Sequence, residues 1–296
     1  MRCVAESLAA LYLPGGSPLS PRRWPVVAAE VRRAGSALGA VRALAVAGYS
    51  SESLLLGEPG RVAAACEALD SASVLTAACP GYPPLWLERL GAAAPPVVRG
   101  RPCGPGLLGF EPGRPVVAVV GSRHPSPAGR AFAVAVASVA TSLGAVVVSG
   151  GAIGIDSAAA RSASSVVEIL PHGSLVPRVG RGGVPPSAAA RSLLSPFAAG
   201  AEFTAAQAMQ RNVLIYASAA LAVVIEPRYG VGGTWHGARE AMRRRLCPVA
   251  IFHGPESGRA EAALQALGAL PIRAPGDLAA LLAAGLPQPR LFTAVG

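Results

Sequence analysis

Five short segments of the chain carry residue types that hold an oxyanion. The first is Gly121-Ser-Arg-His124, which follows the apolar run Val116–Val120. There Ser122 can donate a hydroxyl and Arg123 a planar guanidinium whose fork matches two phosphate oxygens; an arginine at this place also suits a structural salt bridge. The second, Ser149-Gly-Gly-Ala-Ile-Gly-Ile-Asp156, opens a helical pattern, and Gly150 and Gly151 let a ligand come close to the backbone. Asp156 stands where either a helix N-cap or a ligand contact belongs. The third, Gln210–Tyr216, puts Arg211 and Asn212 at the start of an apolar helix, where they bind phosphate or cap the helix. The fourth, Glu226-Pro-Arg-Tyr-Gly-Val-Gly-Gly-Thr234, is a glycine-rich anion cradle that includes Gly233, with Thr234 as the cap of the next helix. The fifth, Arg243-Arg-Arg245, ends that helix, where cations favour the dipole, and reads as a solvated terminus.

Other chemistries lack their residues. No Gly-x-Gly-x-x-Gly fingerprint follows either glycine-ended strand, and no acid closes a strand about 20 residues on, so no nicotinamide cofactor is expected. His124, His172, His236 and His253 have no Ser or Cys in a nucleophile-elbow setting. Cys3, Cys66, Cys79, Cys103 and Cys247 are odd in number and without Cys-x-x-Cys spacing, which implies neither a zinc site nor a disulfide framework. The expectation is a binding protein with no metal, no cofactor and no catalytic residues.

The elements that must position these segments follow an α/β rhythm. Strands are expected at Val116–Val120, Ala145–Ser149, Val166–Leu170, Leu221–Glu226 and Pro248–Phe252. Helices are expected at Gly129–Leu143, Asp156–Ala163, around Gln210–Ala217, at Thr234–Arg245 and at Ala260–Ala266. The stretch Pro171–Pro186 reads as loop, Ser187–Ser192 as a short helix, and the chain after Ala266 as a proline-broken tail. Short apolar runs that stop on glycine, separated by amphipathic helices, are the grammar of a Rossmann-like parallel sheet with its loops at the carboxyl ends of the strands. Upstream, short helices at Val4–Leu13, Trp24–Ala34, Val41–Ala47 and Gly60–Ala68 suggest a small helical domain. The expected division is residues 1–76 helical, 77–114 an extended lead-in and linker, 115–285 the sheet domain and 286–296 a tail.

Composition supports a folded core: 52% of the 296 residues are hydrophobic and 14% charged. All 26 basic residues are arginine, consistent with coding bias, and the net charge is +10. Between Arg114 and Arg245 stand thirteen arginines against five acids, so this stretch holds +8 of the +10. Charge gathered on one domain is a footprint for a polyanion. The N-terminal apolar patch is interrupted by Glu6 and too short to span a bilayer, so a cytoplasmic protein is expected.

Taken in order, the segments resemble the DNA-processing protein A family (DprA, also called Smf). That family carries G-S-R after its first strand, S-G-x-A-x-G-I-D-x-x-A-H, an R-N-R-I-I-A-G-L-S segment and a V-V-E-A…S-G-S-L-x-T-A loop. The corresponding stretches here are Gly121-Ser-Arg123, Ser149–Ala160, Arg211–Ser218 and Val223-Val-Ile-Glu-Pro227…Gly232-Gly-Thr-Trp-His236. Upstream, Tyr82-Pro-Pro-Leu-Trp86 and Ala94-Pro-Pro-Val-Val-Arg-Gly100 are similar to its proline-rich lead-in. Ile153 stands where the family has a basic residue, Ala160 where it has histidine, and Val213 where it has the second arginine. The resemblance implies a single-stranded DNA-binding homodimer that protects incoming strands and loads a RecA-type recombinase in natural transformation. It also implies a SAM-like fold for the N-terminal helices. Gly121, Ser122, Arg123, Arg211 and Asn212 would line the DNA pocket, together with the cradle residues Gly150, Gly151, Gly233 and Thr234. Arg123 and Arg211 are expected to face one pocket, so that replacing either weakens binding while stability barely changes. The alternative is a nucleotide-metabolising enzyme of the lysine-decarboxylase-like (LOG) group, for which Gly232-Gly-Thr and Glu240 supply part of the motif.

Overall fold

A computed structural model describes residues 74–76, 82–101, 109–111, 113–176, 190–255 and 257–285. The four N-terminal helices expected from sequence, the 171–186 loop beyond residue 176 and the 286–296 tail lie outside the described residues.

Among the described residues nine strands form one sheet: β1 (Val74–Thr76), β2 (Val97–Arg101), β3 (Val116–Gly121), β4 (Val146–Ser149), β5 (Ser165–Ile169), β6 (Ala190–Ser195), β7 (Leu221–Ile225), β8 (Val249–Phe252) and β9 (Leu270–Ile272). Seven α-helices accompany them: α1 (Pro84–Leu90), α2 (Pro127–Ser142), α3 (Ile155–Ser162), α4 (Ala205–Ser218), α5 (Gly232–Arg243), α6 (Arg259–Ala266) and α7 (Asp277–Gly285). The strand order is β1-β2-β6-β5-β4-β3-β7-β8-β9. Pairing is parallel from β6 to β9 and antiparallel at β1–β2 and β2–β6. The result is the expected Rossmann-like α/β sheet, mostly parallel, with an antiparallel edge.

Valine-rich runs such as Val116–Val120 make central strands because helices cover both faces of the sheet. Alternate residues go to opposite cores. Val116, Ala118, Val120, Ala222 and Val224 pack on the side of α1, α4, α5 and α6, whereas Val117, Val119, Leu221, Val223 and Ile225 face α2, α3 and α7.

Two expectations on local structure are corrected. The short helix expected at Ser187–Ser192 is replaced, over its described part, by β6. There Arg191 pairs with buried Glu168 across the β5–β6 register at 3.1 Å, and Leu193 and Leu194 are buried. Local helix propensity yields to a vacant slot between β5 and β2. The expected proline-broken tail carries β9 and α7, and Pro271 is tolerated because β9 is an edge strand, paired with β8 alone. Within the expected extended lead-in, residues 97–101 form β2 of the same sheet.

The rest of the lead-in is docked as well. Trp86 on α1 is 0% exposed and donates its indole N–H to Leu214 O at 3.1 Å and Ser218 Oγ at 2.7 Å, both on α4. Tyr82 meets it edge-on at 5.8 Å and donates its hydroxyl to Pro95 O. Arg89 donates to the carbonyls of Ala217 and Ala219, which the end of α4 leaves without helical partners.

Candidate functional site

The chain leaves β3 for β4 on one side and, after β6, returns through α4 to β7 on the other. The β3–β7 boundary is therefore a topological switch point, where loops diverge and open a crevice beyond the carboxyl ends of the strands. A cleft of about 1020 Å³ lies there. It is lined by residues 121–124 at and after the end of β3, Ala152 and Asp156 at α3, one face of α4 from Ala205 to Tyr216, residues 226–229 and 231–234 leading from β7 into α5, and the start of α6.

The loops are braced against one another. Thr234 Oγ1 donates to Gly121 O at 2.9 Å, and Asn212 Nδ2 donates to Gly233 O at 3.2 Å. Ile155 N donates to Ser122 O at 3.1 Å. Gly154 makes that approach possible: its φ is +90°, and a Cβ there would lie 2.3 Å from Ser122 O. Asp156 is the second residue of α3 rather than its N-cap, which is Gly154. Its buried carboxylate accepts from Gly150 N at 2.9 Å and Ala152 N at 3.5 Å. Burial pushes the Asp156 carboxyl up, while Arg211 and these N–H groups pull it back.

The two arginines expected to share a pocket differ in kind. Both line the cleft, but Arg211 is only 5% exposed, and its Nη1 donates to the carbonyls of Gly150 and, at 2.8 Å, Ile169. Arg211 thus ties α4 to the ends of β4 and β5. Arg123 is exposed, and its guanidinium makes no hydrogen bond or ion pair among the described residues. Ser122 Oγ accepts from His124 N at 3.1 Å, which leaves its proton for a ligand. Gly150 and Gly151 belong to the bracing around Asp156 and Glu168; a Cβ on Gly150 would lie 2.6 Å from Arg211 Cζ.

Glu226 was not foreseen from sequence. It adopts a left-handed φ of 50°, costly for a residue with a Cβ, and carries its carboxylate to the start of α2. There it accepts from Ser126 N at 2.8 Å and Ser126 Oγ at 2.5 Å, while Ser126 Oγ accepts from Gly129 N at 3.0 Å. The helix after Gly-Ser-Arg is therefore capped by Ser126, which the protein's own Glu226 anion holds in place. An N-terminus that opens on the cleft is that of α5, whose N-cap is Val231 with no side-chain cap, and Val231, Gly232, Gly233 and Thr234 all line the cleft. Such unmet N–H groups, at the positive end of a helix dipole, favour an anion.

The charges around the opening reinforce that preference. Exposed Arg123, Arg228 and Arg259 line the cleft, whereas its carboxylates are committed: Asp156 and Glu226 as above, and Glu261 to Gly258 N at 2.8 Å. Two exposed aromatics stand on its walls, Phe203 at 49% and Tyr229 at 43% exposure, and Arg259 lies 3.9 Å over the Tyr229 ring. Both lie in loops where sequence alone gives no periodicity to mark them. Glu240, required by the enzyme alternative, pairs with Arg243 at 2.7 Å and does not line the cleft. Of the departures from the family pattern, Ile153 is exposed, Val213 half-buried and Ala160 buried in the core beneath α2.

A model of the family described as DNA recombination-mediator protein A matches residues 74–274. The chain belongs to that family. The matched region spans all nine strands and every loop of the cleft, so the family's shared part contains the site. The fold agrees with two solved relatives. DNA processing protein A from Streptococcus pneumoniae is 19% identical, covers 94% of this chain with 95% of its own, and superposes with a TM-score of 0.65. The protein of the same name from Helicobacter pylori, described for its single-stranded DNA binding mode, is 20% identical over 66% of this chain and 90% of its own, with a TM-score of 0.54. No curated protein sequence matches the chain. Among the described residues no helix is long and apolar enough to cross a membrane, and no group of three or more His, Cys, Asp or Glu side chains is placed to hold a metal ion.

Proposed function

We propose that this member of the DNA recombination-mediator family binds single-stranded DNA in the switch-point cleft. The observation that carries the reading is the imbalance of the cleft: its carboxylates are engaged by backbone N–H groups, while Arg123, Arg228 and the start of α5 remain open to an anion. Phosphates of a flexible strand suit these donors, and the exposed ring of Phe203 offers a π-face that accepts any base, whereas the Tyr229 ring already carries Arg259. Gly121, Ser122, Arg123, Gly233 and Thr234 form the contact set in this reading, whereas Gly150, Gly151, Arg211 and Asn212 hold the loops that present it. The family description as a recombination mediator supports a further step, delivery of the strand to a RecA-type recombinase, with the protein acting as a homodimer in the cytoplasm. The chemistry is binding rather than catalysis.

Fluorescence anisotropy with a labelled oligonucleotide, single-stranded and annealed, tests the binding over a salt series. The single strand is expected to bind more tightly, with a log–log salt slope of about 0.7 per neutralised phosphate. Equal or tighter binding of the duplex at moderate salt overturns the reading.

A further inference from the structure

Tyr216 sets one end of the cleft apart. It lies on α4, is 2% exposed and lines the cleft, with its ring against Gly237 of α5, where a Cβ would lie 3.1 Å from Tyr216 Cε2. Its hydroxyl is buried without a hydrogen-bond partner among the described residues. Burial, and after it the charges of Cys247 and Asp156, raise the phenol well above its ordinary range, so it stays a proton donor. Buried hydroxyls are normally satisfied, and one left open beside a cleft awaits a ligand or a water. The uncapped N-terminus of α5, the unengaged guanidinium of Arg123 and Tyr216 all line this cleft. An internal phosphodiester presents two non-bridging oxygens, whereas a terminal phosphate presents three and carries more charge.

We propose that the deep end of the cleft is a subsite for a nucleoside 5′-phosphate, its phosphate held by the α5 N-terminus, Arg123 and the Tyr216 hydroxyl and its base resting on the exposed Phe203 ring of the cleft wall. The ligand is either a free mononucleotide or the phosphorylated 5′ end of a single strand. The inference rests on the single-strand reading for the second source only.

The test pairs titration calorimetry of thymidine 5′-monophosphate against thymidine with anisotropy of one oligonucleotide bearing a 5′-phosphate or a 5′-hydroxyl, on wild type and Tyr216→Phe. Wild type is expected to bind the monophosphate and not the nucleoside, and to prefer the phosphorylated strand about tenfold. Tyr216→Phe keeps the ring and its packing; it should lose most of that preference while binding the 5′-hydroxyl strand as wild type does. Monophosphate binding with equal affinity for both strands supports the subsite and names the free nucleotide as its occupant. Monophosphate binding with no binding of either strand supports the subsite and overturns the single-strand reading. Equal strands without monophosphate binding overturn the subsite and leave single-strand binding standing. An unchanged preference in Tyr216→Phe also overturns it, as the hydroxyl would then serve only a structural water. The wild-type comparisons decide the matter even if the variant folds poorly.

Discussion

Arg211→Ala is expected to destabilise the protein by about 3–5 kcal/mol, the cost of breaking a buried charge arrangement by removing one partner. The side chain is almost wholly buried and donates to the carbonyls of Gly150 and Ile169, and its charge opposes the desolvation of Asp156. Alanine would leave two buried carbonyls short of a donor and a buried carboxylate without its cation. For a chain of this size the melting temperature should fall by on the order of 10 °C in thermal denaturation. Arg211→Met with Asp156→Asn should recover part of the loss, because the uncompensated charge is removed with its partner. This outcome reverses what the sequence suggests for Arg211, weaker binding with unchanged stability. A variant that melts like wild type would show that the guanidinium is not a brace.

Trp86→Ala should cost a similar amount, about 3–5 kcal/mol, through the cavity left by a fully buried indole. The ring fills the space between α1 and α4, and its N–H satisfies Leu214 O and Ser218 Oγ. Trp86→Phe should cost less, since it keeps part of the packing and forfeits the N–H. Since α4 also carries Arg211 and Asn212, the alanine variant should loosen the cleft as well as the edge of the sheet. Urea unfolding monitored by far-UV circular dichroism measures both variants; a midpoint within error of wild type for Trp86→Ala would contradict the docking of α1 on α4.

What could be read from the residues alone depended on how local the cause was. The runs Val116–Val120 and Leu221–Ile225 announce buried parallel strands because burial on both faces needs nothing but apolar residues. The glycine loops that end such runs announce the switch-point cleft. The pairing of Gly121 with Thr234 and of Asn212 with Gly233 follows from that topology, although the four residues span more than a hundred positions. Nothing local shows that Glu226 would turn left-handed and cap a helix that begins 99 positions earlier, at Pro127. Nor does Ala190–Ser195 look like a strand until β5 and β2 leave it a place between them. Arg123 and Arg211 look alike in sequence, since one follows and the other precedes an apolar run. Only the burial of one and the exposure of the other separate a brace from a candidate contact.

The salt dependence of single-strand binding by Arg123→Ala, set beside wild type and Arg243→Ala, addresses the cleft most directly. Arg243 lies at the far end of α5, exposed and paired with Glu240, and serves as the control. Arg123→Ala should weaken binding by about 1–3 kcal/mol and lower the salt slope by about 0.7, with an unchanged melting temperature, while Arg243→Ala alters neither affinity nor stability appreciably. Wild-type affinity and slope in Arg123→Ala would place the strand elsewhere on the protein and contradict the assignment of the cleft.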